Sequence, residues 1–314
     1  LFLVAAPVSG WQVHLVGRLP SQSQRSAHAS LDRGRIPVLI AGGFDSTWDG
    51  RPEAQTILGS DFEVWRFSYR GSDSRGYPLP YTRAQTHQSL GQLEVKMDRE
   101  VRWLSSMSGE PVRIVAASEG SVVARSYLQE FPHAPVSDLV MVSPLVEPGR
   151  VYYPPEGHEG WGVAAGTLTR ALSAIVGGFA HTDLDPDMPF LRSIVDHAPA
   201  LRTGMLCPAP QARVVAFLPI ASAATIPPVG QSPLVPVRTV NGFHGAGITP
   251  ALQYLATGRL PAAATGAGVL NRVLRSGATA WMVPELPAAL NPAWPKTKLT
   301  AKGCPVDGWP APAR

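Results

Sequence analysis

The sequence predicts an α/β fold: a mostly parallel central sheet with helices on both faces and an inserted helical cap. Three observations predict it. Short apolar runs end in small or turn-forming residues at Ile36 to Ala41 (then Gly42, Gly43), Phe62 to Tyr69 (then Arg70, Gly71), Val112 to Ala117 (then Ser118, Gly120) and Leu139 to Val142 (then Ser143, Pro144). Amphipathic stretches separate them. Across Thr82 to Ser108 the apolar positions Leu90, Leu93, Met97, Val101 and Leu104 recur at spacings of three and four, the mark of one helix face. Gly120 to Phe131 reads as a second helix, stopped by Pro132. Strands that are apolar along their whole length, without polar alternation, belong to a parallel sheet covered on both faces.

The bulk composition fits one large core. The chain has 314 residues, 45% hydrophobic and only 16% charged, which leaves ample apolar surface to bury. Its net charge is +4, with the cations nearly all Arg and scattered along the chain. No basic stripe with interleaved aromatics follows a phosphate backbone, so nucleic-acid binding is set aside. The two cysteines, Cys207 and Cys304, are too few and too distant for a zinc knuckle or a redox pair. A disulfide pinning the tail to the body and a pair of unrelated thiols both fit the sequence. No metal or organic cofactor is implied.

The organisation follows from breaks in the strand rhythm. Residues 1–34 join a wholly apolar stretch, Leu1 to Ala6, to a polar linker from residue 20 onward. Trp11, Val13 and Leu15 alternate with Gln12 and His14, the period of a half-buried strand. The segment therefore reads as the remnant of a signal or membrane anchor, as a first strand, or as both. An anchor would make the protein secreted or membrane-anchored outside the cytoplasm, with membrane association through this N-terminus; otherwise it is cytoplasmic. The core is expected over 35–149 and 209–290, its later strands at Ala212 to Leu218 and Val235 to Val240, its closing helices at Pro250 to Thr257 and Gly266 to Arg275. Residues 150–208 hold Tyr152, Tyr153, Trp161, Phe179 and Phe190 but no clear strand, and read as a mostly helical cap. Residues 291–314 form a Pro-rich tail.

The chemistry concentrates in Val112 to Ser121, a strand, a turn and a helix around a small-x-Ser-x-Gly centre. A serine lifted clear of a sheet on a sharp turn needs small residues two before and two after it, because both positions press on neighbouring backbone. Ala116 and Gly120 meet that need. The turn resembles the nucleophile elbow of the α/β-hydrolase family, with Ala116 where the family usually has its first glycine. Ala41-Gly42-Gly43-Phe44-Asp45-Ser46 looks like the family's oxyanion loop. Tyr69-Arg70-Gly71-Ser72-Asp73-Ser74 resembles its strand-ending Arg-Gly-x-Gly-x-Ser signature, Asp73 standing where the second glycine often sits. The resemblance covers roughly residues 35–145 and 212–260, in the family's order. It implies a serine esterase or lipase-like enzyme with Ser118 as nucleophile and the backbone N–H groups of Phe44 and Glu119 as oxyanion donors.

The general base is expected after the last strand. Asn241-Gly242-Phe243-His244-Gly245 places a histidine between flexible residues there, and serine before histidine is the family's chain order. His244 is that candidate. The family usually carries an Asp or Glu after the penultimate strand, yet Pro219-Ile220-Ala221-Ser222-Ala223-Ala224 has no carboxylate. Glu147, just past the strand ending at Val142, is the candidate acid by carry-over; a solvated loop glutamate is the other reading of it. Asp183, Asp185, Asp187 and Asp196 in the cap are weaker options. Gly43, Tyr152, Tyr153 and Trp161 are expected to line the substrate site, and the cap aromatics point to small-molecule or lipid carboxylic esters. Two alternatives stay open: another acyl-transfer enzyme on this fold (peptidase, amidase, thioesterase or acyltransferase), or a degenerate hydrolase that only binds.

Overall fold

Each apolar run forms a strand for as long as a neighbour completes its hydrogen bonds, and the strand ends are set by pairing more than by composition. A computed structural model describes residues 34–51, 57–146, 185–222, 225, 233–264 and 304, with positions 170, 171, 174, 175, 269, 272 and 273. Its six strands are β1 (Ile36–Ala41), β2 (Phe62–Arg66), β3 (Val112–Ala117), β4 (Val136–Val142), β5 (Arg213–Ala221) and β6 (Val237–Phe243). All neighbours pair parallel, in the order β2-β1-β3-β4-β5-β6. The chain therefore winds one way from β1 to β2 and the other way from β3 onward. Between β1 and β3 lies the switch point, where the carboxyl ends of parallel strands leave a crevice.

Alternate side chains of these strands feed two cores. Leu39, Ala41, Ile114, Ala116, Leu139 and Met141 pack with the helices α1 (Leu90–Ser108), α2 (Glu119–Glu130) and α3 (Pro189–Gly204) on one face. Val38, Val115, Val140, Val142 and Phe217 pack with α4 (Ile248–Thr257) on the other. The expected α/β architecture, with helices on both faces, is the observed one.

Several boundaries differ from the sequence expectation, each for a physical reason. β2 stops at Arg66 because the last β1 residue paired with it is Ile40, and Phe67 and Tyr69 instead enter the core as an edge-to-face pair 5.0 Å apart. β4 starts at Val136, three residues early, since Asp138 interrupts the apolar run without interrupting the strand. Its buried carboxylate is held by Arg213 at 2.6 Å and Arg113 at 3.4 Å. The expected helix over Thr82 to Ser108 divides into a 3-10 turn at Arg83–His87 and α1, because Ser89 and Gln92 form a capping box that starts α1 afresh. β5 runs on through Pro219 to Ala221, and β6 starts at Val237 and continues to Phe243 past a register shift. α4 begins at Ile248, two residues before Pro250.

Of the expected cap, α3 is the main described part. It is tied to the core by the Leu90 N–H, which donates to Ser193 Oγ at 3.0 Å, and by Arg125 Nε, which donates to the Gly204 carbonyl at 2.8 Å. Tyr152, Tyr153, Trp161, Phe179, Glu147, the segment before residue 34 and most of 265–314 lie outside the described residues. Cys207 and Cys304 are disulfide-bonded, with their Cα atoms 5.9 Å apart. Among the described residues no helix is long and apolar enough to cross a membrane.

Candidate active site

β3 ends against a turn that its own neighbours hold in shape. Ser118 has φ 52 and ψ −116, a conformation that costs a non-glycine residue of order 1–3 kcal/mol and survives only where the surroundings impose it. Here they do. The Ser118 N–H donates to the Val142 carbonyl of β4 at 2.9 Å, and the Ser118 carbonyl accepts from Ser121 N–H at 3.0 Å and Ser121 Oγ at 2.8 Å. Gly120 N–H donates to the Gly42 carbonyl at 3.0 Å. A Cβ on Gly120 would stand 2.7 Å from the carbonyl oxygens of both Ala41 and Gly42, which is the steric reason for glycine two residues after the serine.

The loop after β1 lies against this turn. A Cβ on Gly43 would be 3.2 Å from Ser118 Cβ, so the loop backbone passes directly beside the serine. It is braced from the other side by residues 69–87. Tyr69 Oη donates to the Gly42 carbonyl at 2.6 Å, Asp45 N–H donates to Thr86 Oγ1 at 3.1 Å, and His87 Nε2 meets Asp45 Oδ1 at 2.7 Å. The Phe44 ring stacks on His87 with centroids 4.8 Å apart and lies 6.0 Å from the buried Phe190 of α3. Among the described residues neither the Phe44 N–H nor the Glu119 N–H has an acceptor. The second is an orphan by construction, since the first N–H groups of a helix find no partner within it.

His244 follows β6 directly and reaches across to the serine. Its Nε2 lies 2.8 Å from Ser118 Oγ. Ser143, at the end of β4 with φ 52, fixes the histidine loop by accepting the Gly245 N–H at 2.8 Å and lying 3.4 Å from the Ala246 carbonyl. Burial pushes the imidazole down to about 4, favouring the neutral ring. Its Nδ1 lies 3.0 Å from Ser222 Oγ, one residue past β5.

The structure thus brings together Ser118, His244, Gly43, Phe44 and Glu119. Glu147, Tyr152, Tyr153 and Trp161 are outside the described residues, as is Asp183. The other cap aspartates have different roles: Asp196 pairs with Arg192, Asp187 pairs with Arg170, and Asp185 accepts the Asp187 N–H. Asp73 organises its own loop, accepting from Arg75 N–H at 2.8 Å and Tyr77 N–H at 3.0 Å. Sequence reasoning missed Ser222 and the Asp45–His87 brace. Ser222 had a signal: it is the one side chain of Pro219 to Ala224 able to hydrogen-bond.

A serine on a strained strand-to-helix turn now sits at the switch point of a parallel sheet, with a histidine from the late loop at its oxygen. This is the α/β-hydrolase fold. Among solved structures, the chain is similar to a 2-hydroxy-6-oxo-6-phenylhexa-2,4-dienoate hydrolase from a Rhodococcus species, with 16% identity, 67% of this chain and 83% of that one covered, and a TM-score of 0.36. It is also similar to lipase B of Aspergillus fumigatus, with 13% identity, 79% and 58% covered, and a TM-score of 0.41. A monoacylglycerol lipase of Paleococcus ferrophilus gives 13% identity, 79% and 96% covered, and a TM-score of 0.41. No family model and no curated protein matches the sequence. At these identities nothing about substrate transfers to this chain.

Proposed function

We propose that this protein is a serine hydrolase that cleaves carboxylic esters of apolar small molecules or lipids through an acyl-enzyme on Ser118. The observation that carries the reading is the 2.8 Å contact between Ser118 Oγ and His244 Nε2, residues 126 apart in sequence. The histidine accepts the hydroxyl proton as the serine oxygen attacks the ester carbonyl carbon. The carbonyl oxygen gains the negative charge and takes hydrogen bonds from the Phe44 and Glu119 N–H groups. Collapse of the tetrahedral intermediate breaks the bond to the alcohol, which leaves with the proton from His244 Nε2. Water, deprotonated by the same nitrogen, then attacks the acyl-enzyme and releases the acid. The half-buried Phe44 ring beside this loop, backed by the wholly buried Phe190, is the apolar feature that supports an apolar acyl or alcohol group. The Cys207–Cys304 bond supports an oxidising, extracytoplasmic location, since such bonds persist there.

The test is a panel of p-nitrophenyl esters of increasing acyl length beside a peptide anilide and a thioester of matched acyl group. Esters should be turned over fastest, and Ser118→Ala should lower ester turnover by several orders of magnitude without loss of folding. Preference for the anilide or the thioester would move the protein to another acyl-transfer class. Folded wild-type protein inert toward all three would favour a binding role.

A further inference from the structure

We propose that Ser222 is the positioning residue of His244, its hydroxyl accepting the Nδ1–H hydrogen bond that a carboxylate accepts in an ordinary triad, so that the relay Ser118–His244–Ser222 carries no fixed negative charge. This rests on Ser118 and His244 acting as nucleophile and base.

The geometry is that of a triad with one member exchanged. Ser222 Oγ lies 3.0 Å from Nδ1, and Ser118 Oγ lies 2.8 Å from Nε2 of the same ring. For Nε2 to receive the serine proton it must be the bare nitrogen, so the ring hydrogen sits on Nδ1 and Ser222 is the acceptor. A hydroxyl oxygen has the lone pairs for that role. The acceptor is also held in place. Ser222 is buried, and its carbonyl accepts from Thr225 N–H at 3.2 Å and from Thr225 Oγ1 at 3.0 Å, while Thr225 Oγ1 lies 3.0 Å from the Pro219 carbonyl. Thr225 therefore ties down the backbone at the end of β5, and Ser222 presents its hydroxyl to the imidazole.

Exchanging a carboxylate for a hydroxyl separates two jobs that a carboxylate does together. Ser222 can fix the tautomer and the ring plane, and loss of the tautomer alone costs about 10⁴ in kcat when an aspartate becomes asparagine in another triad. What Ser222 cannot supply is a charge to stabilise the imidazolium that forms in the transition state. Among the described residues, the titratable groups on the elements around the ring do not supply it either. Glu119, behind the nucleophile, is buried with its carboxyl pushed well above the ordinary range, first by burial and then by Asp45. Asp45 is itself bonded to His87. Burial is the cause that moves His244, downward to about 4. The base is consequently weak but stays unprotonated in acid, so ester cleavage should persist at pH values where a carboxylate-supported histidine is already charged.

The experiment is the pH profile of kcat/KM for a p-nitrophenyl ester between pH 3.5 and 9 in wild type, Ser222→Ala, Ser222→Thr and Ser222→Asp. The wild-type acid limb should lie more than one unit below the ordinary histidine value. Ser222→Asp should raise that limb by about 1–3 units, as an opposite charge beside an imidazolium does. Ser222→Ala should lower kcat about tenfold or more with KM little changed, and Ser222→Thr should restore much of it. A merely structural serine would lose stability and raise KM along with any fall in kcat in Ser222→Ala, and Ser222→Thr would not single out kcat for rescue; an unmoved limb in Ser222→Asp, or wild-type kcat in Ser222→Ala, overturns the assignment. Wild-type protein that turns over ester and loses it in Ser118→Ala, yet is indifferent to Ser222, sinks only this inference. Ester turnover that survives Ser118→Ala sinks the nucleophile reading beneath it.

Discussion

At the scale of single residues the site is decided by close approaches. Gly120 has no room for a side chain, because the loop after β1 crosses it with two carbonyl oxygens 2.7 Å from where a Cβ would go. Gly120→Ala must push that loop away from Ser118 and, with it, the Phe44 N–H proposed as an oxyanion donor. Loss of one oxyanion donor costs about 10²–10³ in kcat. We therefore expect Gly120→Ala to lose at least about a hundredfold in ester turnover and about 1–3 kcal/mol of stability from overpacking, read by steady-state kinetics and urea unfolding. Activity within a few fold of wild type would mean that the loop does not set the oxyanion geometry. Gly43→Ala is the milder case, its Cβ meeting Ser118 Cβ at 3.2 Å and the Ala117 carbonyl oxygen at 3.8 Å.

At the scale of elements, the strands were legible wherever apolar composition and pairing coincide, and illegible where a polar residue is buried by a specific partner. β1 and β3 were read with their observed bounds because every residue from Val38 to Ala41 and from Ile114 to Ala116 serves one of the two cores or the pairing between them. β4 was read short because Asp138 looks like a strand breaker until Arg113 and Arg213, from its two neighbouring strands, are seen to neutralise it. The break between the 3-10 turn and α1 was missed because the helical spacing of α1 begins only after Ser89, while the preceding residues Thr86 and His87 are committed to bracing Asp45. The strained turn at Ser118 was readable since sterics fix both its flanking small residues and its place after a strand. The contact of Ser222 with His244 was not, because a serine carries no charge and no periodicity to mark it, and only the spatial meeting of the β5 and β6 ends brings the two together.

At the scale of the whole molecule, burial shifts several ionisable groups, and the signs of their contributions can be added. Glu119 and Glu100 are pushed well above the usual carboxylate range, each mainly by burial, and Glu94 is pushed up to about 7 by burial. Among the described residues neither carboxyl oxygen of Glu119 has a hydrogen-bond partner. A carboxyl raised in this way binds its proton more tightly in the folded chain, so its contribution is full below the ordinary carboxylate value and drains away as pH rises toward the folded one. His244 has the opposite sign, adding stability from about pH 4 up to its ordinary 6.5 and nothing more above that. From pH 6.5 to 8.5 the carboxyls remain, and the thermal midpoint should fall across that interval, less steeply in Glu119→Gln. A midpoint that is flat or rising there would mean these carboxyls are not held neutral. The proposed chemistry requires one serine oxygen held against one imidazole, and it is tested most directly by treating the folded protein with a fluorophosphonate and mapping the adduct by mass spectrometry. A single adduct on Ser118 is expected, absent from Ser118→Ala and from heat-unfolded protein; folded, monodisperse protein that takes up no phosphonyl group, or takes it up at another residue, would contradict that chemistry.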